Sequence, residues 1–154
     1  MNQTSQIAKH LRDVYFGGNW TAVNFKDTVA DLSWQQATKK IYSFNTIAAL
    51  VYHTDYFIKA VIRVLQNNPI NASDKYSFDV PAIQSQEDWE NLLKTTWEDV
   101  ETFASLIEQF PDEKLDDIFV TEKYGNYRRN FWGIIEHTHY HLGQMVLIKK
   151  MLEP

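Results

Sequence analysis

The chain has 154 residues, a formal net charge of -5 at pH 7 and no cysteine. This length suits one domain with a sizeable buried core, so we expect a single domain over residues 1–154. The lack of cysteine excludes disulfides, thiolate zinc sites and a cysteine nucleophile, which leaves nitrogen and oxygen ligands for any metal. The acidic balance argues against a nucleic-acid partner, because phosphate binding needs clustered lysine and arginine.

The first predicted helix follows Thr4 and Ser5, either of which is a suitable N-terminal cap. Its apolar residues recur at helical spacing: Ile7, Leu11, Val14 and Tyr15. Gly17 and Gly18 come next, and glycine tolerates the left-handed conformation that ends many helices. We therefore expect the helix to stop at this pair.

Residues 19–44 show no sustained period, and we interpret them as a packed connection. They contain one expected turn of helix, which begins at Ser33. Ser33 and Gln36 have the spacing of a capping box, in which each side chain bonds the backbone N–H of the other residue.

The second predicted helix starts at Asn45 or Thr46, contains His53, and ends before the Asn-Asn-Pro sequence at 67–69. Its apolar residues repeat every three or four positions: Ile47, Leu50, Val51, Ile58, Val61, Ile62 and Leu65. Residues 70–84 have little periodicity, so we expect a long crossover to the next helix. Loops of this length often cover functional sites.

The third predicted helix begins at Ser85 with Asp88 as its capping partner and stops at Pro111. Its apolar stripe is the clearest in the chain: Trp89, Leu92, Leu93, Val100, Phe103, Ala104 and Ile107. Between residues 112 and 129, the alternation at 118–121 favours a short hairpin, and an irregular loop is an equal alternative.

The fourth predicted helix begins near Asn130 and is apolar around most of its circumference, so other helices must cover it. Four long helices without a repeat predict an all-α four-helix bundle. The most apolar stretch includes Glu136, Lys149 and Lys150, which argues against a membrane span. The polar N-terminus does not have the pattern of a secretory signal, so we expect a cytoplasmic protein.

Histidines mark the candidate site. His137 and His141 are one helical turn apart, so their imidazoles share a face and can bind one cation. His53 interrupts an apolar face of the second helix and is the natural third ligand. Three imidazoles leave positions open on zinc, nickel or a similar ion. His139 is rotated by about 200° from the pair, and His10 lies among charged neighbours, so we exclude both.

Other interpretations of these histidines stay open at this point. A single buried histidine such as His53 is often a hydrogen-bonded core residue, and a histidine pair can be structural as well. Thr138 follows His137, so the helix lacks the glutamate of a zincin-type protease. Gln144 shares the histidine face and either orients an imidazole or bonds a backbone carbonyl.

The second-helix segment NTIAALVYH at residues 45–53 and the segment HTHYHLGQ at 137–144 resemble the DinB-like superfamily of bacterial four-helix bundles. The resemblance spans nearly the whole chain. It implies that His53, His137 and His141 bind a divalent metal, usually nickel or zinc. It also implies a small-molecule substrate, because similar members include S-transferases that use low-molecular-weight thiols such as bacillithiol or mycothiol.

Three functions are compatible with the predicted site and with the resemblance. The first is a transferase in which a metal lowers the pKa of a low-molecular-weight thiol. The second is a hydrolase that uses metal-bound water, which needs a general base, and Glu136 points away from the histidine face. The third is a non-catalytic metal-binding or stress-associated protein. We further expect a homodimer formed through an aromatic-rich surface.

Overall fold

The computed structural model describes residues 1–153. Within them the chain is all-helical, with four long helices and two short ones and no strand. The helices are α1 (Gln3–Phe16), α2 (Phe25–Val29), α3 (Trp34–Thr38), α4 (Ile47–Leu65), α5 (Gln86–Gln109) and α6 (Tyr127–Leu152). The predicted all-α class is confirmed, and the four predicted helices correspond to α1, α4, α5 and α6.

Local capping decides where three of these helices begin, as predicted. The Thr46 side chain accepts from the backbone N–H of Ala49 at the start of α4. Ser85 begins α5 in the same way, and Ser33 begins α3 with both halves of a capping box. Each such cap stabilises its helix by about 1 kcal/mol, because it bonds an N–H group that has no partner within the helix.

Two predicted helix starts are wrong by a few residues. The N-cap of α1 is Asn2, so Thr4 lies inside the helix, and α6 starts at Tyr127 behind Asn126 instead of near Asn130. In both cases the capping asparagine precedes the first apolar residue of the periodic pattern. The predicted stop of α1 is confirmed, since Gly17 has a φ of 114°.

The segment between α5 and α6 is an irregular loop, the second of the two alternatives that the sequence left open. It contains two 3-10 turns and one isolated bridge between Ile118 and Asn126. Leu115 and Phe119 are buried in the core, whereas Ile118 is exposed. Single buried side chains therefore anchor this loop. The alternation at residues 118–121 does not divide the segment into a buried face and an exposed face, as a strand would.

The core lies between the four long helices. Its largest fully buried side chains include Tyr15, Trp89, Phe103 and Phe131. Burial of one such side chain contributes roughly 1.5–3 kcal/mol relative to exposure in water. The Tyr15 hydroxyl also lies 3.2 Å from the Thr138 hydroxyl, which joins α1 to α6. No helix within residues 1–153 is both long and apolar enough to span a bilayer.

The predicted long crossover joins α4 to α5 through residues 66–85. It contains a 3-10 turn, Asp74–Tyr76, and the Ser73 backbone N–H donates to the Tyr56 hydroxyl at 2.9 Å. This bond holds the crossover against α4, one turn beyond His53. The loop therefore covers the part of α4 that carries the candidate ligand.

Candidate metal centre

The three predicted ligands come from the middle of two packed helices. His53 lies on α4, and His137 and His141 lie one turn apart on α6. His53 and His141 are buried, and His137 is half-buried. The structure thus brings together the three histidines that the sequence singled out.

The imidazole nitrogens face one another. Nε2 of His137 lies 2.9 Å from Nε2 of His53 and 3.1 Å from Nε2 of His141. One ring nitrogen from each histidine lies within 4.8 Å of the other two. Nitrogens bound at about 2.0–2.1 Å to a common ion, at octahedral to tetrahedral angles, are about 2.9–3.4 Å apart. The two short separations fit that requirement.

Hydrogen bonding alone does not explain this arrangement. Nδ1 of His141 donates to Oε1 of Gln144 at 2.7 Å, so in the neutral ring its Nε2 carries a lone pair. Nε2 of His137 has either one proton or one lone pair, so it bonds at most one of its two neighbours well. A cation satisfies all three lone pairs, and an imidazole oriented by a hydrogen bond at its other nitrogen is the usual form of a metal ligand.

The surroundings keep the three rings neutral. Burial, followed by the charges of His141 and His53, lowers the pKa of His137 to about 4. Burial is also the main cause of the lowered pKa of His53 and of His141, and for His141 the bond to Gln144 opposes it. Neutral imidazole is the form that binds metals, so the lone pairs are available at neutral pH.

Two phenylalanines form the apolar wall of the site. Phe78, from the crossover, stacks on the His53 ring with centroids 3.8 Å apart and an angle of 5° between the planes. Phe57 meets the rings of both His53 and His137 edge-on at 5.2 Å. The crossover therefore covers the site as predicted, although its sequence did not show that Phe78 is the residue in contact.

A cavity of about 510 Å³ opens beside the triad and is lined by His53 and His137. Its other walls come from α4, the crossover and the first half of α6: Phe57, Asp74, Arg129, Asn130, Trp132, Gly133, Ile134 and Glu136. Sequence reasoning placed Glu136 away from the site, yet its side chain lines this cavity. Gly133 precedes His137 by four residues, so helical spacing could have identified it, whereas Arg129 lies before the predicted start of this helix.

The two excluded histidines lie elsewhere, on the side of α6 that faces α1. The rings of His139 and His10 are 6.2 Å apart, and His10 contacts Trp132 at 5.5 Å. Their exclusion from the cluster is confirmed. The charged neighbours of His10 indicated a solvated position, and that expectation is wrong in part because the ring is half-buried.

The sequence profile of the DinB superfamily matches residues 8–145, which include all three clustered histidines and most of the bundle. The chain belongs to the DinB superfamily. No curated protein and no solved structure matches it significantly. Membership of the DinB superfamily agrees with the helical fold and with the predicted resemblance. Together with the cluster, it describes a DinB-type bundle whose three histidines are compatible with a bound metal ion.

Proposed function

We propose that this DinB-type protein is a metal-dependent S-transferase, in which His53, His137 and His141 hold a divalent ion, zinc or nickel. The observation that carries the proposal is the convergence of three neutral imidazole nitrogens beside an open cavity. A site with three protein ligands keeps a position for a substrate, whereas a structural site is closed. When bound, the ion would lower the pKa of a thiol that coordinates it.

The residues around the site suit a small thiol. Phe57 and Phe78 exclude water from one side of the triad, which strengthens electrostatic interactions there. The thiol loses its proton to solvent, its sulfur bonds the electrophilic carbon, and the leaving group departs with its electron pair. The protein needs no cysteine for this reaction, in agreement with its composition.

A metal-dependent hydrolase is the second candidate, favoured by the two carboxylates of the cavity. Asp74 and Glu136 both line it, and a carboxylate is a suitable general base for a water molecule. Within residues 1–153, however, neither carboxylate makes a hydrogen bond to the three imidazoles. Thiol activation needs no general base at the ion, so we favour the transferase.

The test measures two reactions on the same untagged, metal-loaded protein. Thiol loss is followed with cysteine and chlorodinitrobenzene, and ester hydrolysis with nitrophenyl acetate. We expect thiol loss above the background rate, abolished in His137→Ala and retained in the matched control His139→Ala. Ester hydrolysis alone would establish the hydrolase instead. If protein that holds its metal shows neither activity, both enzymatic functions are contradicted, and a non-catalytic metal-binding protein remains.

The homodimer expected from the sequence remains a proposal. Exposed apolar side chains follow one face of α6, namely Tyr140, Leu147 and Met151, and Phe44 is exposed in the loop before α4. Such a surface supports self-association. Sedimentation equilibrium of the wild type should give a dimer mass, and Leu147→Lys should give a monomer. A wild-type monomer at high concentration would refute the proposal.

A further inference from the structure

The cavity beside the triad has an uneven charge distribution. Asp74 lies toward its metal end, since its charge acts on His53, and Glu136 lines the cavity within one helical turn of His137. Arg129 lines the same cavity and precedes His137 by two helical turns, or about 12 Å along the axis. The cavity is therefore acidic near the triad and basic at its far end.

Arg129 has no ion-pair partner in the described part of the chain, in contrast to its neighbour. The Arg128 guanidinium bonds both carboxylate oxygens of Asp116, at 2.8 and 3.0 Å. Within residues 1–153 the Arg129 side chain makes no hydrogen bond, and its backbone N–H donates to the capping side chain of Asn126. The free guanidinium fork is the group that proteins use to bind carboxylates in a planar, two-point contact.

Two glycines leave space around this arginine. A Cβ atom at Gly125 would lie 2.7 Å from Cδ of Arg129, so the arginine side chain occupies space that only glycine leaves open. Gly133 lies midway between Arg129 and His137, and a Cβ there would meet no atom within 4 Å. Glycine inside a helix costs about 1 kcal/mol relative to alanine, and the bundle packing gives no reason for it here. The missing side chain at Gly133 leaves the space between Arg129 and the triad open.

We propose that Arg129 binds a carboxylate of the substrate while the thiol sulfur of the same molecule reaches the triad. This inference rests on the proposed function and names the substrate class as an elongated thiol with a distal carboxylate. Asp74 and Glu136 repel a carboxylate from the metal end, which fixes the orientation of the molecule. Its apolar middle lies along Phe57 and Trp132.

The test compares two thiols of equal length in zinc-loaded protein, 8-mercaptooctanoate and the uncharged 8-mercaptooctanol, by isothermal titration calorimetry. The wild type should favour the carboxylate about fivefold, the factor for one solvent-accessible ion pair. Arg129→Gln should remove this preference. Arg128→Gln removes the same charge from the same turn of the helix and should keep the preference for the carboxylate. Gly133→Leu should weaken binding of both thiols without loss of zinc.

The outcomes separate the two proposals. Equal affinities in the wild type, with zinc-dependent binding of both thiols, would overturn the role of Arg129 and leave the thiol function standing. Binding of neither thiol would overturn the proposed function. Metal-free protein is then titrated with octanoate and octanol. A preference for octanoate that Arg129→Gln abolishes would support the anion site, and no preference would overturn it.

Discussion

The helix α6 carries two histidine clusters on opposite faces, and they differ in what the nitrogens meet. Toward α4, Nε2 of His137 lies within 3.1 Å of a nitrogen from both His53 and His141. Toward α1, the rings of His139 and His10 are 6.2 Å apart and tilted by 55°. Within residues 1–153 they have no third metal-binding side chain beside them and no hydrogen bond between them. Only the first cluster has the geometry of a metal site.

This contrast shows that histidine content and burial are insufficient to define a site. Burial lowers the pKa of His139 as it does that of the triad, so this ring is also mostly neutral at neutral pH. The two clusters differ in the spacing of their histidines along the chain and in the helix that faces them. A separation of four residues aligns two rings, and His53 on α4 supplies the third nitrogen at the same level.

The largest expected effect comes from the removal of one triad imidazole. We predict that His137→Ala abolishes stoichiometric metal binding, because two histidines hold a divalent ion far more weakly than three. Elemental analysis of untagged protein measures this directly. The matched variant His139→Ala removes an imidazole two residues away and should keep the wild-type metal content. Equal metal content in both variants would remove the distinction between the two clusters.

Metal removal should lower the melting temperature of the wild type by about 5–10 °C. An ion at 100 times its dissociation constant stabilises the folded state by about 2.7 kcal/mol, and each kcal/mol changes the midpoint by about 2–4 °C at this chain length. Thermal unfolding with and without a chelator gives the shift. His10→Ala should show the same shift, and His137→Ala should show none. A chelator effect in His137→Ala would place the ion elsewhere.

Replacement of Gln144 should weaken metal binding less than replacement of any of the three histidines. The Gln144 Oε1 accepts the Nδ1–H of His141 at 2.7 Å and so presents Nε2 to the triad. Loss of such an orienting partner commonly costs about 10–100-fold in metal affinity, so we predict this weakening for Gln144→Leu. Competition with a chromophoric chelator measures the affinity. Unchanged affinity would mean that packing alone orients the His141 ring.

The smallest expected effect concerns a carboxylate that stabilises the fold outside the histidine cluster. Asp112 accepts hydrogen bonds from the backbone N–H groups of Gln3 and Thr4, and these bonds lower the pKa of its carboxyl. Its stabilising contribution is therefore complete above the unfolded value of about 3.9 and is lost as the pH falls toward the lower folded value.

We expect Asp112→Asn to be slightly less stable than the wild type at neutral pH, with the difference shrinking in acid. Urea unfolding at a series of pH values measures it. Metal content at neutral pH should match the wild type, because Asp112 lies outside the histidine cluster. A difference in stability that grows in acid would contradict the assigned direction.

The three clustered histidines were predictable because they depend on local periodicity. The pair His137 and His141 needs only the helical repeat, and His53 is identifiable as an ionisable residue in an apolar stripe. Caps at Thr46 and Ser85 follow from the residue type before each stripe. Fold class was predictable for the same reason, since four long amphipathic segments have few ways to bury their apolar faces.

The remainder of the site depends on where the loops run. Phe78 stacks on His53 because the crossover folds back over α4, and no short-range pattern in residues 66–85 encodes that path. The choice between hairpin and loop before α6 has a similar cause, because burial of Phe119 in the core overrides the local alternation. Arg129 lines the cavity only because α6 begins at Tyr127, earlier than its apolar pattern indicated.

X-ray absorption of the metal-loaded protein tests most directly whether three imidazoles meet at one ion. We expect three imidazole nitrogens at about 2.0–2.1 Å for zinc, falling to two or fewer in His53→Ala and unchanged in His10→Ala. A first shell of oxygen atoms without imidazole scattering in the wild type would contradict the central claim, and so would an unchanged spectrum in His53→Ala.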